Sequence, residues 1–323
     1  MEFGISETLN ETSGRLGLQS KETLMDFAEL DSSFRKWQAK PMIKFDLYEA
    51  AKEKVLIVAH RGVSGGNIPC NTLAAYEIAL KQGADMLEID VEMSRDGKLF
   101  IFHPGMEPHH LNHSGYIRNM TSEEVFRLRY VNYDRCHTQF GVNTLDEFLE
   151  AFKGRCYVNV DKFWGHPKEI YEAIRRHGME DQVLVKSVPS ETVFSVLESI
   201  APTLPFMPIV QNVHPLHDDL MRRKINYVGA EVLFEKEDAE VASGAFIQKM
   251  HRDGKLVWAN AIIYDYKVQL SAGHSDDASL CEDFDLGWGW LVRQGFDLIQ
   301  TDWTLMLREY LQNNGLYWKN EKH

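Results

Sequence analysis

The chain has 323 residues, 44% hydrophobic and 26% charged, which is the balance of a globular protein and excludes a disordered chain, a collagen or a coiled-coil rod. Lys and Arg total 35 against 48 Asp and Glu, a net charge of −13. A field of that sign does not steer the chain to nucleic acid or to an anionic membrane, though a local basic site for one small phosphate is compatible with it.

Residues 1–42 are polar and Ser/Glu-rich and show no basic-then-apolar leader. They read as an extension in which Leu24, Phe27 and Leu30 have the spacing of a short amphipathic helix, ahead of a single domain at 43–323. Cys70, Cys136, Cys156 and Cys281 form no C-x-x-C pair, so a reducing, cytoplasmic compartment is expected. The longest apolar runs have strand length, so no stable membrane insertion is expected. Strand-like runs fall at 55–60, 86–91, 99–103, 156–161, 182–187, 207–211, 227–233, 256–260 and 297–301. Helical patterns lie between most of them, at 72–82, 121–128, 144–153, 167–177, 191–200, 238–253 and 286–295. Strand and helix alternating over this length predict an α/β fold, a (β/α)8 TIM-type barrel. A doubly wound open sheet is the alternative, weakened because no G-x-G-x-x-G follows the first strand.

One connection breaks the alternation. The gap from Asp90 to Leu99 is too short for a crossover helix, and Asp96-Gly97 is a hairpin signal. A two-residue turn there would place His103 opposite Asp90, with Glu88 and Asp90 sharing one strand face.

Polar residues that end apolar strands are candidates for chemistry, because barrel active sites form at the carboxyl ends of the strands. Glu88, Asp90 and Asp161 are oxygen ligands suited to Mg²⁺ or Ca²⁺; the bland alternative is carboxylates tied to Arg61 or to backbone N–H groups. His60 and His103 offer an acid and a base near neutral pH, and Arg61 a fork for a phosphate oxygen. Other signals are weaker. The run Gly62-Val63-Ser64-Gly65-Gly66 reads as a flexible loop before an anion cradle, and His109, His110 and His113 as surface histidines before a zinc site. Trp164, Trp258, Trp288, Trp290 and Trp303 divide evenly between core packing and stacking on a ligand. Cys70 has no evident base and is not expected to be a nucleophile.

Together, His60-Arg61-Gly62, Pro69-Cys70-Asn71-Thr72, the run from Gly83 to Val91, Ser94-Arg95-Asp96-Gly97 and His103 resemble the glycerophosphodiester phosphodiesterase family. The likeness continues through Met120-Thr121-Ser122-Glu123-Glu124, Asn143 to Leu149, Val257-Trp258-Ala259-Asn260 and Gly295 to Asp302, spanning roughly residues 55–312 and leaving out an insert at 266–286. The resemblance implies a barrel with a divalent metal held by Glu88, Asp90 and Asp161, the last standing where the family usually has Glu. It implies His60 and His103 as the acid/base pair and Arg61 as the phosphate binder, acting on a small-molecule phosphodiester with Mg²⁺ or Ca²⁺. Three positions depart from the family. Cys70 replaces a Glu, Pro104 an Asp beside His103, and Phe163 a Lys on the face of the third ligand. Lys162 should point away by strand alternation, so Lys186 is the candidate to restore the charge, with Trp258 a candidate substrate contact. A glycosidase using the paired carboxylates, or a binding protein without activity, are the alternatives.

Overall fold

The structure, a computed structural model, describes residues 45–263, 268 and 270–319. The helix expected around Leu24, Phe27 and Leu30 lies outside the described residues, as does part of the 266–286 insert.

Eight parallel strands close into a barrel: β1 Leu56–His60, β2 Met86–Met93, β4 Tyr157–Asp161, β5 Val183–Ser187, β6 Phe206–Gln211, β7 Gly229–Leu233, β8 Leu256–Asn260 and β9 Leu298–Thr301. Strand β1 pairs with both β2 and β9, which rules out the open sheet. Each strand is apolar on both faces at its start because both are covered. Leu87, Ile89, Val158, Val160, Val257 and Ile299 face the surrounding helices, while Leu56, Val58, Met86, Leu184, Met207, Trp258 and Leu298 fill the barrel. Helix α1 (Leu47–Glu53) adds Leu47 and Ala51 to the inner cluster, and its Asp46 cap accepts the Glu49 N–H at 3.1 Å.

The remaining helices are α2 Leu73–Lys81, α3 Glu107–His110, α4 Ser122–Arg127, α5 Leu145–Phe152, α6 Pro167–His177, α7 Glu191–Ile200, α8 His217–Leu220, α9 Gly244–Arg252, α10 Trp290–Gln294 and α11 Thr304–Asn313. The pattern expected at 238–253 is broken by a 3-10 turn before α9. The stretch expected as a helix at 286–295 begins as a π-helical turn, Asp285–Gly289, before α10. Among the described residues, no helix is long and apolar enough to cross a membrane.

The short connection after β2 is a hairpin, with β3 (Leu99–Ile101) antiparallel to β2, but its register differs by one residue from expectation. Val91 pairs with Ile101, and the Phe102 N–H meets the Asp90 carbonyl at 3.1 Å, so Phe102 and not His103 stands opposite Asp90. The cause is a three-residue loop, Arg95-Asp96-Gly97, in which Gly97 takes φ +84°. That third, left-handed position favours glycine and replaces the two-residue turn. From β3 the chain makes an excursion before α5, with a small core of its own built on Phe100, Phe102, Ile117, Val125 and Tyr130.

Candidate active site at the carboxyl ends of the strands

The barrel interior changes character along its axis. Past the apolar layers, the same inward-facing rows continue as His60, Glu88, Asp90, Asp161, Lys186, Glu231 and Asn260. The register sets His60 beside Glu88 and Asp90 beside Asp161. Ligand atoms of Glu88, Asp90 and Asp161 lie within 4.8 Å of one another.

Glu88 and Asp90 are buried and Asp161 partly so, and the site is strained around Asp90. Three non-glycine residues with left-handed backbones converge on Asp90: Arg61 (φ 55°), Asn71 (φ 56°) and Lys162 (φ 61°). Arg61 Nε lies 2.9 Å from Asp90 Oδ2, though not in line for a hydrogen bond. Asn71 Nδ2 donates to the same oxygen at 3.0 Å, and Asn71 Oδ1 in turn accepts from the Tyr76 hydroxyl at 2.7 Å. Lys162 Nζ lies 2.5 Å from Asp161 Oδ2 and 3.9 Å from Asp90 Oδ1. Its left-handed backbone defeats strand alternation and turns the ammonium inward, correcting the expectation that it points away. Phe163 is packed in the outer core.

The electrostatics follow. Burial, reinforced by the neighbouring Asp90 charge, pushes Glu88 up to about 7. Burial also lifts Asp161, but the ammonium groups of Lys162 and Lys186 outweigh it and leave that carboxyl below its ordinary value. Oδ1 of Asp90 and Oδ1 of Asp161 are buried without any donor. Crowded carboxylates with donor-less oxygens are a donor set that fits a hard divalent cation.

The two histidines flank this cluster and are held by different partners. His60 Nδ1 lies 2.9 Å from Asp302 Oδ1, so it donates and leaves Nε2 on the opposite side of the ring. Burial lowers the His60 imidazole, but the Asp302 hydrogen bond and the Glu88 charge overcome this and raise it. His103 Nδ1 donates to the Pro104 carbonyl at 3.0 Å, and its Nε2 stands 4.0 Å from Asp90 Oδ1. Burial and the charges of Arg61 and Lys162 hold His103 below its ordinary value. The missing Asp after His103 is thus offset by a main-chain acceptor.

Two expected contacts stand elsewhere. Trp258 is wholly buried inside the barrel and presents no face to a ligand. Lys186 Nζ lies 3.9 Å over its ring and 2.8 Å from Glu231 Oε2, an ion pair too bent for a formal hydrogen bond. Glu231 Oε1 accepts from Asn260 at 2.6 Å, so Lys186 is already committed. His110 is not a surface histidine: its Nδ1 faces Cys70 Sγ at 3.8 Å, and burial lowers it to about 4 while raising the thiol to about 12. Among the described residues, Glu88, Asp90 and Asp161 are the one grouping with metal-ligand geometry. Asn71 is a site residue that the sequence reading did not single out, and Asp302 was noted only as a polar residue at a strand end. Both were visible in motifs, Pro69-Cys70-Asn71-Thr72 and Thr301-Asp302, but a short polar residue after a Pro or a strand end reads first as a cap or turn former. Asp302 is presented to His60 by Asp276, which accepts the Asp302 N–H at 2.8 Å, the Thr301 hydroxyl at 2.7 Å and the Trp288 indole N–H at 2.7 Å.

The fold and the site define a TIM barrel with an acidic, metal-type centre flanked by two histidines. Residues 60–260 match the profile of the glycerophosphoryl diester phosphodiesterase family, and the chain belongs to that family. A glycerophosphodiester phosphodiesterase of Caldanaerobacter subterraneus is 30% identical over 142 residues, 42% of this chain. The match covers 58% of that relative, so the chain spans under two thirds of the length of this curated relative. A glycerophosphoryl diester phosphodiesterase from Parabacteroides distasonis superposes with a TM-score of 0.68 at 20% identity, covering 83% of this chain and 91% of that one. A phosphodiesterase from Oleispira antarctica, solved with the product sn-glycerol-3-phosphate, gives 0.62 at 21%, covering 80% and 97%. At such identities the structural likeness establishes the barrel.

Proposed function

We propose that the chain is a metal-dependent phosphodiesterase that hydrolyses a glycerophosphodiester to glycerol phosphate and an alcohol, with Mg²⁺ or Ca²⁺ held by Glu88, Asp90 and Asp161. One observation carries this reading: donor-less oxygens of Asp90 and Asp161 belong to one cluster with Glu88, which His60 adjoins in register, while His103 and Arg61 face Asp90. Family membership supports it, as does the product bound to the Oleispira antarctica relative.

A cation bound there supplies Lewis-acid neutralisation of charge on the phosphoryl oxygens. Arg61 engages Asp90 through Nε, and its terminal nitrogens, which meet no carboxylate among the described residues, grip a phosphate oxygen. Lys162 adds a second positive charge on the Asp161 side, where Phe163 has none to give. His103 carries its proton on Nδ1, so its Nε2 lone pair accepts the proton of the attacking water or substrate hydroxyl. His60, braced by Asp302, gives its Nε2 proton to the departing alcohol oxygen as the phosphorus–oxygen bond breaks. The glycosidase alternative loses ground, because Arg61 and the two histidines beside the carboxylates serve a phosphate and have no part in a two-carboxylate mechanism.

Phosphorus NMR of a glycerophosphodiester panel, run with Mg²⁺, with Ca²⁺ and with EDTA, tests this. A monoester resonance that EDTA abolishes is the expected result. A silent panel with both metals overturns the reading.

A further inference from the structure

A cavity beside His60 and Arg61 does not sit over the carboxylates. It is about 550 Å³, opens on His60 and Arg61, and runs between the loop after β1 and the start of α11, bounded by Val63, Trp303, Leu305 and Met306. None of Glu88, Asp90 and Asp161 lines it. The β1 side of the cavity is fixed by Gly62, whose φ is +78° and whose missing Cβ would stand 2.7 Å from the Ala75 backbone; only glycine lets this loop lie so close to α2.

We infer that this cavity receives the departing alcohol of the diester, and that this alcohol is uncharged and largely apolar. The inference rests on the phosphodiesterase reading and deepens it. Arg61 and His60 belong both to the phosphate site and to the cavity, so a phosphate between them and the carboxylates sends one ester arm into it. That arm is the one whose oxygen His60 protonates. The charged groups on the cavity wall are paired: Asp302 through Oδ1 with His60 at 2.9 Å, and Arg61 through Nε with Asp90 at 2.9 Å. Of the other polar groups, Ser64 and Gln82 are neutral, and burial keeps His110 neutral. Asp302 is the one carboxylate on the wall, and the His60 N–H on its Oδ1 offsets its charge, so an ammonium headgroup gains little there, whereas Val63, Leu305, Met306 and the half-exposed Trp303 offer apolar area. The volume lies within the roughly 300–1,000 Å³ of small-molecule sites and far above the roughly 30 Å³ of one water, so a small polar substituent leaves the apolar wall wet.

The test uses the full-length chain with Mg²⁺ or Ca²⁺ and glycerophosphodiesters of methanol, butanol and hexanol, alongside those of choline and its uncharged carbon isostere 3,3-dimethylbutanol. The alkyl series holds leaving-group acidity nearly constant, so kcat/KM reads burial. We expect a rise of up to roughly fourfold per buried methylene, and the dimethylbutyl ester to be cleaved faster than the choline ester. Trp303→Ala, at a position 51% exposed and therefore tolerant of truncation, should lower the hexyl-to-methyl ratio, and Met306→Glu should shift preference toward choline. A flat alkyl series, or a choline ester preferred by the wild type, overturns the inference while leaving the phosphodiesterase reading intact. No turnover of any diester fails that reading, and this inference falls with it.

Discussion

The two sides of the barrel mouth handle buried charge in opposite ways. On the side of β1, β2 and β4, carboxylates crowd together, two of their oxygens face no donor, and three left-handed residues are held around Asp90. On the side of β5, β7 and β8, Lys186, Glu231, Asn260 and Trp258 form a chain of contacts that closes on itself: 2.8 Å, 2.6 Å and 3.3 Å. Buried polar groups without partners and backbones in sparse regions are costly, and they persist where function requires them. Glu231 Oε2 also lacks a formal hydrogen bond, but the Lys186 ammonium 2.8 Å away balances its charge, and groups matched in this way need nothing further. The first side is therefore built to receive a ligand and the second to hold its shape, although both are polar and both end barrel strands.

Breaking each side should give different failures. Asp90→Asn removes the charge on which Arg61, Asn71 and Lys162 converge, and turnover should fall by roughly 10²–10³-fold or more, with weaker metal binding by calorimetry. Near-normal turnover in that variant would erase the distinction between the two sides. Lys186→Met should instead cost stability, about 3–5 kcal/mol in denaturant unfolding, because Glu231 is left as an unpaired buried charge. Adding Glu231→Gln, which keeps an acceptor for Asn260, should restore most of the loss. Turnover that stays low in the refolded double variant would mean Lys186 serves the phosphate after all, as the sequence reading expected.

The same contrast explains what could be read in advance. The barrel strands were legible because both-face burial writes them as unbroken apolar runs, and alternation put Glu88 and Asp90 on one face, while Asp161 was read as a strand end and joined to them by the family resemblance. The strained features were not legible. No pattern announces that Lys162 is left-handed or that Asn71 faces Asp90, because tertiary contacts impose these arrangements, and Gly97 follows its own preference in a three-residue loop that Asp-Gly does not distinguish from a two-residue turn. Helix α11 escaped notice for a related reason. Its cap position is Trp303, which makes no side-chain cap, and the Asp just before it turns to His60. Trp258 was placed correctly in its strand and misjudged in role, since a strand end alone does not tell an inward, covered ring from an open one.

The smallest effect concerns the link that joins the reactive side to the loop after β8. Asp276 takes three donors, two of them from Thr301 and Asp302, and so sets the carboxylate that braces His60. Burial nonetheless pushes Asp276 up to about 6, outweighing those hydrogen bonds, from an ordinary value of 3.8. The sign follows from the direction. An acid whose folded value is raised binds protons more readily when folded, so the folded state bears the full penalty above pH 6 and sheds it as the pH falls from 6 toward 4. The recovery amounts to about 1.4 kcal/mol per pH unit across that window. Unfolding of wild type and Asp276→Asn between pH 7.5 and 4.5 isolates this contribution, because the other carboxylates titrate in both. The wild type should gain on the variant as the solution is acidified. A constant difference would show that the three donors satisfy the anion outright, and that this loop steadies Asp302 without any cost of buried charge.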